Sequence, residues 1–318
     1  MKKYALAAVT AFALSALFTR LLLPFLRKLK IGQNILSYVK EHEKKAGTPT
    51  MGGLAFVFAA VLCACVFVGR ADKQFVAAVC LGLAYAAVGF LDDAIKIRYR
   101  QNMGLRPYQK IIFQLAAALL AGIFCCKNGI VRQNLPFSSR SLNFGTWTIA
   151  FSAFTFLALV NAVNLTDGLD SLAGGVSVAY FISFGILIVL QNKNEPSSLA
   201  LLSFILAAAI VGFLLFNAYP ASIFMGDTGS LSIGGFASSV ATFSQNALYI
   251  PPIGVCFVCS VISVIVQVIY YKASKGKRVF LMSPLHHHFQ KKGYSESKIA
   301  TAYTAVTAAI GLLCIAFA

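Results

Sequence analysis

The sequence predicts an all-α integral membrane protein, a bundle of about ten transmembrane helices whose connecting loops carry the chemistry on one face. Three observations lead there. Hydrophobic residues make up 58% of the 318 residues and charged residues only 12%, against about 25% charged in a soluble domain. The mean hydropathy is +0.78. Apolar runs close to the ~20 residues needed to cross a bilayer recur along the chain, and the acids fall in the polar stretches between them. None of those stretches is long enough for a separate soluble domain, so residues 1–318 read as a single polytopic domain.

In chain order the expected spans are Tyr4–Leu26, Met51–Val68, Phe75–Leu91, Ile111–Cys126 and Trp147–Leu165, then Val176–Leu190, Leu199–Phe216, Leu231–Phe243, Pro251–Tyr271 and Ile299–Phe317. The eighth is short. The first follows Lys2-Lys3 as a signal peptide would, but it is too long and ends at Arg27-Lys28 without a cleavage site, so it reads as an anchor. An even number of spans puts both termini on one side, and basic residues decide which. Loops after odd-numbered spans hold eighteen Lys and Arg, those on the other side eight, and Arg20 within the first span completes the 27. The first side is therefore cytoplasmic and both termini face out. With these cations set in loops between spans, the net charge of +17 does not imply nucleic-acid binding, which would need basic and aromatic residues interleaved in a groove.

The acids follow a pattern that positive-inside sorting does not explain. Only Asp72 and Glu195 fall outside; the other eight are cytoplasmic. The eight cysteines lie within or at the ends of apolar runs and read as packing, because Cys256 and Cys259 have no second pair to complete a metal site.

Five cytoplasmic segments carry the candidate chemistry. The first loop ends in Lys44-Lys45-Ala-Gly-Thr-Pro-Thr-Met-Gly-Gly53, a basic, glycine-rich turn suited to an anionic group, beside the simpler role of a lipid anchor. The third span closes on Asp92-Asp93, with Lys96 four residues after Asp92, the spacing of an ordinary helix ion pair. Adjacent helical residues diverge by about 100°, so the two carboxylates cannot share one task. A charge at mid-bilayer costs about 2.5–3.5 kcal/mol, which places the pair at the interface. The fifth span runs out through Asn161, Asn164, Asp167 and Asp170, which recur every third residue as one drifting helix stripe; hydrogen bonding between helices is the alternative to a binding role. Between the seventh and eighth spans, Asn217 to Ser230 contains Asp227, flanked by Gly226 and Gly229 with hydroxyls at Thr228 and Ser230. That combination suits a hydrated cation or phosphate, or a cap on the following helix. The last loop, Lys272–Lys298, holds His286, His287 and His288. Consecutive side chains point apart, so phosphate contact or proton transfer fits the triplet better than one metal.

These pieces assemble by magnitude. Two carboxylates about 4 Å apart repel by about 4 kcal/mol at an effective dielectric of 20. If Asp92 or Asp93 approaches Asp227, a divalent cation such as Mg²⁺ is needed to keep them ionised. Basic clamps and a metal with little need for covalent chemistry are the parts of phosphoryl transfer.

The motifs Lys45–Gly53, Asp92-Asp93, Asn161–Asp170, Phe224-Met-Gly-Asp-Thr-Gly-Ser230 and Pro284-Leu-His-His-His-Phe289 together resemble the phospho-N-acetylmuramoyl-pentapeptide transferase family, within the polyprenyl-phosphate sugar-phosphate transferase superfamily. The resemblance spans nearly the whole chain. It implies a ten-helix homodimer in the bacterial cytoplasmic membrane, with catalytic loops facing the cytoplasm. It also implies Mg²⁺-dependent transfer of phospho-MurNAc-pentapeptide from UDP-MurNAc-pentapeptide to undecaprenyl phosphate, giving lipid I and UMP.

By the same resemblance Asp227 is the Mg²⁺ ligand, Asp92 deprotonates or positions the lipid phosphate, and Asp93 supports both. Phe224 stacks on uracil, with Lys96, Gly168, Asp170, Asn217 and Gln267 around the nucleoside. Lys45, Thr50, Asn164 and Asp167 line the sugar-phosphate region; Asn161 and Lys110 belong with the substrate-binding groups, and the three histidines form the catalytic edge. A bend or break is implied in the ninth span. Direct attack by the lipid phosphate is favoured over a phospho-aspartyl intermediate at Asp227, because a metal-bound carboxylate is a weak nucleophile. Two other readings stay open: a polyprenyl-phosphate GlcNAc-phosphate transferase, and a transporter, which would place its ionisable groups near mid-bilayer among inverted repeats.

Overall fold

A computed structural model describes residues 2–28, 47–69, 71–99, 103–193 and 196–318. Among them are twelve α-helices and one two-stranded sheet: α1 (Lys2–Lys28), α2 (Gly53–Phe67), α3 (Lys73–Arg98), α4 (Pro107–Lys127), β1 (Arg132–Asn134), β2 (Ser141–Asn143), α5 (Thr148–Thr166), α6 (Leu172–Gln191), α7 (Ser198–Asn217), α8 (Gly226–Phe243), α9 (Ile250–Ile253), α10 (Val255–Ala273), α11 (Leu285–Lys291) and α12 (Glu296–Ala316). Eight of the helices are long and apolar enough to cross a membrane: α1, α3, α4, α5 with its preceding turn, α6, α7, α10 and α12.

The other two expected spans are α2 and α8. With 15 residues, α2 extends about 22 Å at 1.5 Å per residue, short of the hydrocarbon thickness. Helix α8 is less apolar for a different reason. Every residue from Thr228 to Phe243 is buried, walled by α3, α5, α2 and α6, so it meets protein rather than lipid. Its glycines and serines then serve close approach instead of hydrophobicity: Gly234 lies against the Val160 backbone and Gly235 against Tyr85. The apolar core surrounds it, including Phe156, Phe236, Phe243 and Tyr85, while large apolar side chains on α1, α4 and α10 face outward.

Two features go beyond the apolar runs. The ninth span is interrupted at Gly254, between α9 and α10, so the break lies at its start and the remaining nineteen residues run on as one helix. Strands β1 and β2 pair antiparallel, Arg132 opposite Asn143. Their hairpin docks on the turn after α8: the Asn134 N–H donates to the Gln245 carbonyl at 2.7 Å, and the Ala247 N–H donates to Gln133 Oε1 at 2.9 Å.

Candidate active site

At the opposite end of the bundle from that hairpin, α8 begins, α3 and α5 end, and α2 and α4 start. Each contributes to one cluster. The turn before α2 and the approach to α8 are stitched backbone to backbone: Phe224 N–H donates to the Pro49 carbonyl (2.8 Å), Gly52 N–H to Phe224 (2.9 Å) and Gly53 N–H to Met225 (2.9 Å). Close packing makes glycine necessary here. A Cβ on Gly53 would lie 2.3 Å from the Gly229 Cα, backbone that cannot yield. Gly226 has φ +71°, and a Cβ there would meet Asp93 Oδ2 at 2.5 Å and Thr50 Oγ1 at 2.8 Å. Two motifs nearly 180 residues apart thus build one turn that brings Asp227 and Thr50 together.

Oxygens of Asp92, Asp93 and Asp227 lie within 4.8 Å of one another. Their surroundings separate them. Asp93, buried, spends both oxygens on the start of α8: Oδ1 accepts from Asp227 N–H (3.1 Å), and Oδ2 from Thr228 N–H (2.9 Å) and Oγ1 (2.7 Å). It caps that helix from a neighbouring one, satisfying donors that a helix start leaves unpaired. Asp92 accepts from Leu105 N–H at 2.9 Å through Oδ1, while Lys96 Nζ lies 2.6 Å from its Oδ2. The predicted i, i+4 ion pair is therefore present, but Lys96 is shared, standing 3.1 Å from Asp227 Oδ2 as well. Lys110 Nζ reaches the same Asp227 oxygen at 2.8 Å and Asn164 Oδ1 at 3.3 Å. Asn164 Nδ2 in turn donates to Asp227 Oδ1 and to Ser230 Oγ, each at 2.9 Å.

The donor set fits Mg²⁺. Oxygen ligands at 2.0–2.1 Å place opposite partners about 4.2 Å apart in an octahedron. Mutual separations of no more than 4.8 Å are compatible with that, directly or through water, as Mg²⁺ commonly allows. Asp227 and Asp92 are the groups suited to hold it, since Asp93 is committed to backbone. Asp167 adds a fourth acid past the end of α5. Burial, then the nearby negative charges of Asp227, Asp93 and Asp170, push its carboxyl up to about 8.

The stripe predicted on the fifth span holds only in part. Helix α5 ends at Thr166, with Asp167 at its C-cap, so Asp170 lies in the following turn. Asn161 is turned to α4, donating to Gln114 Oε1 at 2.8 Å, which is the interhelical alternative. Asp170 is buried, and its Oδ2 accepts from Ala221 N–H at 2.9 Å. Asn217 accepts from Ser171 N–H (3.1 Å) and donates to the Ile223 carbonyl (2.9 Å). These two shape the loops around Phe224, which is half-buried. Gln267 does the same for the last loop, accepting from Val279 and Phe280 N–H and donating to the Phe280 carbonyl. A Cβ on Gly168 would meet His286 Nε2 at 2.4 Å and His287 Nε2 at 3.0 Å, so those rings close over the turn after α5. His288 faces the other way, to Leu281 N–H. Lys45 lies outside the described residues.

Sequence reasoning missed Ser263, which accepts from Leu285 N–H at 3.0 Å and fixes the start of the histidine helix. Its signal was readable: Ser263 and Gln267 are polar residues one helical turn apart in an apolar run.

The chain matches the family model for Glycosyl transferase family 4 over residues 75–245 and the phospho-N-acetylmuramoyl-pentapeptide-transferase signature 1 over residues 45–57. It is 40% identical over 306 residues to a phospho-N-acetylmuramoyl-pentapeptide-transferase of Clostridium perfringens (strain 13 / Type A), covering 96% of this chain and 95% of that one. The proteins of the same name from Thermoanaerobacter sp. (strain X514) and Listeria monocytogenes serotype 4b (strain F2365) are each 40% identical. They cover 96% and 92% of this chain, and 96% and 91% of their own.

Proposed function

The chain belongs to the phospho-N-acetylmuramoyl-pentapeptide transferase family, and from that premise we propose how its residues carry out the transfer. It is a multi-pass membrane transferase that moves phospho-MurNAc-pentapeptide from UDP-MurNAc-pentapeptide to undecaprenyl phosphate, giving lipid I and UMP. The observation that carries the proposal is the meeting of Asp92, Asp93 and Asp227 within 4.8 Å, with Lys96 and Lys110 both on Asp227.

Asp227 and Asp92 would hold Mg²⁺, with Asp93 fixing the helix start that aims Asp227. When bound, Mg²⁺ neutralises charge on the diphosphate oxygens and lowers the repulsion met by an anionic nucleophile. Lys96 and Lys110 then turn from Asp227 toward phosphate, keeping the pocket's cations paired as the substrate enters. Asp92 positions the lipid phosphate and accepts any proton that it still carries. In direct attack a lipid phosphate oxygen bonds to the sugar-linked phosphorus as the bond to the bridging oxygen breaks, and UMP leaves. Asp227 is not the nucleophile in this scheme, since a metal-bound carboxylate is a weak nucleophile and Asn164 Nδ2 already donates to its Oδ1. Phe224 stacks on uracil, framed by the turns that Asp170, Asn217 and Gln267 hold. Gly168 and the histidines close the opposite edge; Thr50, Asn164, Asp167 and Lys45 line the sugar-phosphate side, with Asn161 behind them on Gln114.

A cytoplasmic face for this cluster, with both termini outside, belongs to the same proposal, supported by the basic loops at that end. So do a single functional domain over 1–318 and a homodimer, which a mass measurement in detergent tests. The substrate assignment is tested by UMP release with undecaprenyl phosphate, comparing UDP-MurNAc-pentapeptide with UDP-GlcNAc. Turnover is expected with the first alone; turnover with UDP-GlcNAc alone would move the chain to the GlcNAc-phosphate branch.

A further inference from the structure

Helix α10 has two unlike faces. Ile262, Ile265 and Ile269 are half exposed or more, whereas Cys256, Ser260, Ser263 and Gln267 are buried. The buried four are spaced by four, three and four residues, so they form one stripe along the helix. Each holds a different part of the chain. Cys256 Sγ donates to the Tyr303 carbonyl of α12 at 3.4 Å. Thr166, the last residue of α5, reaches Ser260 Oγ at 2.9 Å. Ser263 Oγ donates to the Ser260 carbonyl at 2.8 Å and accepts from Leu285 N–H, the first of α11, at 3.0 Å.

Ser260 and Ser263 stand one turn apart, so the end of α5 and the start of α11 are both set against the same turn of α10. Two residues past Thr166 is Gly168, and the residue after Leu285 is His286. These are the groups that meet where the rings close over the turn after α5. Helix α11 has only seven residues, and Pro284 at its N-cap gives it no side-chain cap. A helix that short does not hold its shape or place unaided, and its first N–H needs an acceptor from elsewhere. Ser263 supplies it from a neighbouring helix, as Asp93 does for α8. With its own proton committed to the Ser260 carbonyl, the Ser263 hydroxyl presents a lone pair to Leu285 in a fixed direction. We propose that Ser263 is a positioning residue for the reaction: it replaces the cap that Pro284 lacks, and so sets where His286 and His287 stand against Gly168. The consequence for turnover rests on the function proposed above; the placement of α11 does not.

The test follows the accessibility of His286, which is fully buried. The full-length protein in detergent is treated with diethylpyrocarbonate, and labelling of His286 is read by mass spectrometry beside steady-state UMP release. Ser263→Ala should raise His286 labelling about fivefold, as one lost hydrogen bond would. It should lower kcat while KM for undecaprenyl phosphate and Tm stay unchanged. Ser263→Thr keeps the hydroxyl and should behave like the parent. Leu285→Pro removes the donor from the other side, at a helix position where proline is tolerated, and should match Ser263→Ala; Leu285→Ala corrects for the lost side chain. The double variant should be no worse than either single one, because both break the same bond. Parent-like labelling of His286 in Ser263→Ala overturns the proposal, and so do additive effects in the double variant. If Ser263→Ala fails to fold, Leu285→Pro decides, since it leaves α10 intact. The expected labelling without UMP release by the parent would uphold the placement and count against the proposed function.

Discussion

Asp92 and Asp93 differ by one helix step, and about 100° of rotation gives them different partners. Asp93 faces the backbone of α8, so Asp93→Ala should cost about 1–2 kcal/mol of stability, as for a lost helix cap, read as a lower Tm in detergent. Asp92→Asn should leave Tm near that of the parent while UMP release falls by about 10²-fold or more. Equal Tm losses for both would contradict the division. Asp167 supplies a pH-dependent signature. Its carboxyl, pushed up to about 8 by burial and neighbouring acids, keeps a proton in the folded state that the unfolded chain loses near pH 4. Stability is therefore full below that value and declines as pH rises toward 8. Without Mg²⁺, Tm should fall between pH 6 and 8 by more in the parent than in Asp167→Asn; parallel curves would refute the assignment. Acids at an interface were legible from sequence because charge there is costly and countable. Ser263 was legible only as a polar residue in an apolar run, since a neutral polar side chain gives no sign of its partner until the fold brings that partner near.

Among the elements, α8 shows how an apolarity scan goes astray. The scan places the eighth span at Leu231–Phe243, while the helix begins at Gly226. Enclosed by other helices, α8 gains little from apolar surface and much from small residues that let backbones approach. The two sides of its contact with α2 should respond unequally. A Cβ on Gly53 meets backbone at 2.3 Å, whereas a Cβ on Gly229 overlaps less, meeting the Met225 Cβ at 2.7 Å and the Gly53 Cα at 3.1 Å. Gly53→Ala should cost about 2–3 kcal/mol and Gly229→Ala about 1 kcal/mol, measured by thermal unfolding in detergent. The reverse order would mean that the α2–α8 contact is placed incorrectly. The Asn/Asp stripe on α5 was legible up to Asn164; beyond it the helix stops, and Asp170 reaches its backbone partner from a turn that periodicity does not foresee.

At the scale of the whole molecule, membrane organisation was the most legible feature, because long apolar runs have few soluble alternatives. The β1–β2 hairpin was not, since three-residue strands paired only with each other leave no usable pattern. The proposed orientation puts the hairpin outside and the last loop inside. A cysteine at Ser138, in the exposed hairpin turn, should react with a membrane-impermeant maleimide on intact cells, above the background of native cysteines. A cysteine at Lys277 should react only after permeabilisation; the opposite pattern would invert the protein. The separate motifs gain their meaning only together, as five chain segments meet at the start of α8 and place three carboxylates within 4.8 Å. UMP release from UDP-MurNAc-pentapeptide, measured with and without Mg²⁺ for the parent and Asp227→Ala, tests that convergence most directly. Release should require Mg²⁺ and undecaprenyl phosphate, and drop by about 10³-fold or more in a folded Asp227→Ala protein. Undiminished, Mg²⁺-dependent release by that variant would contradict the account.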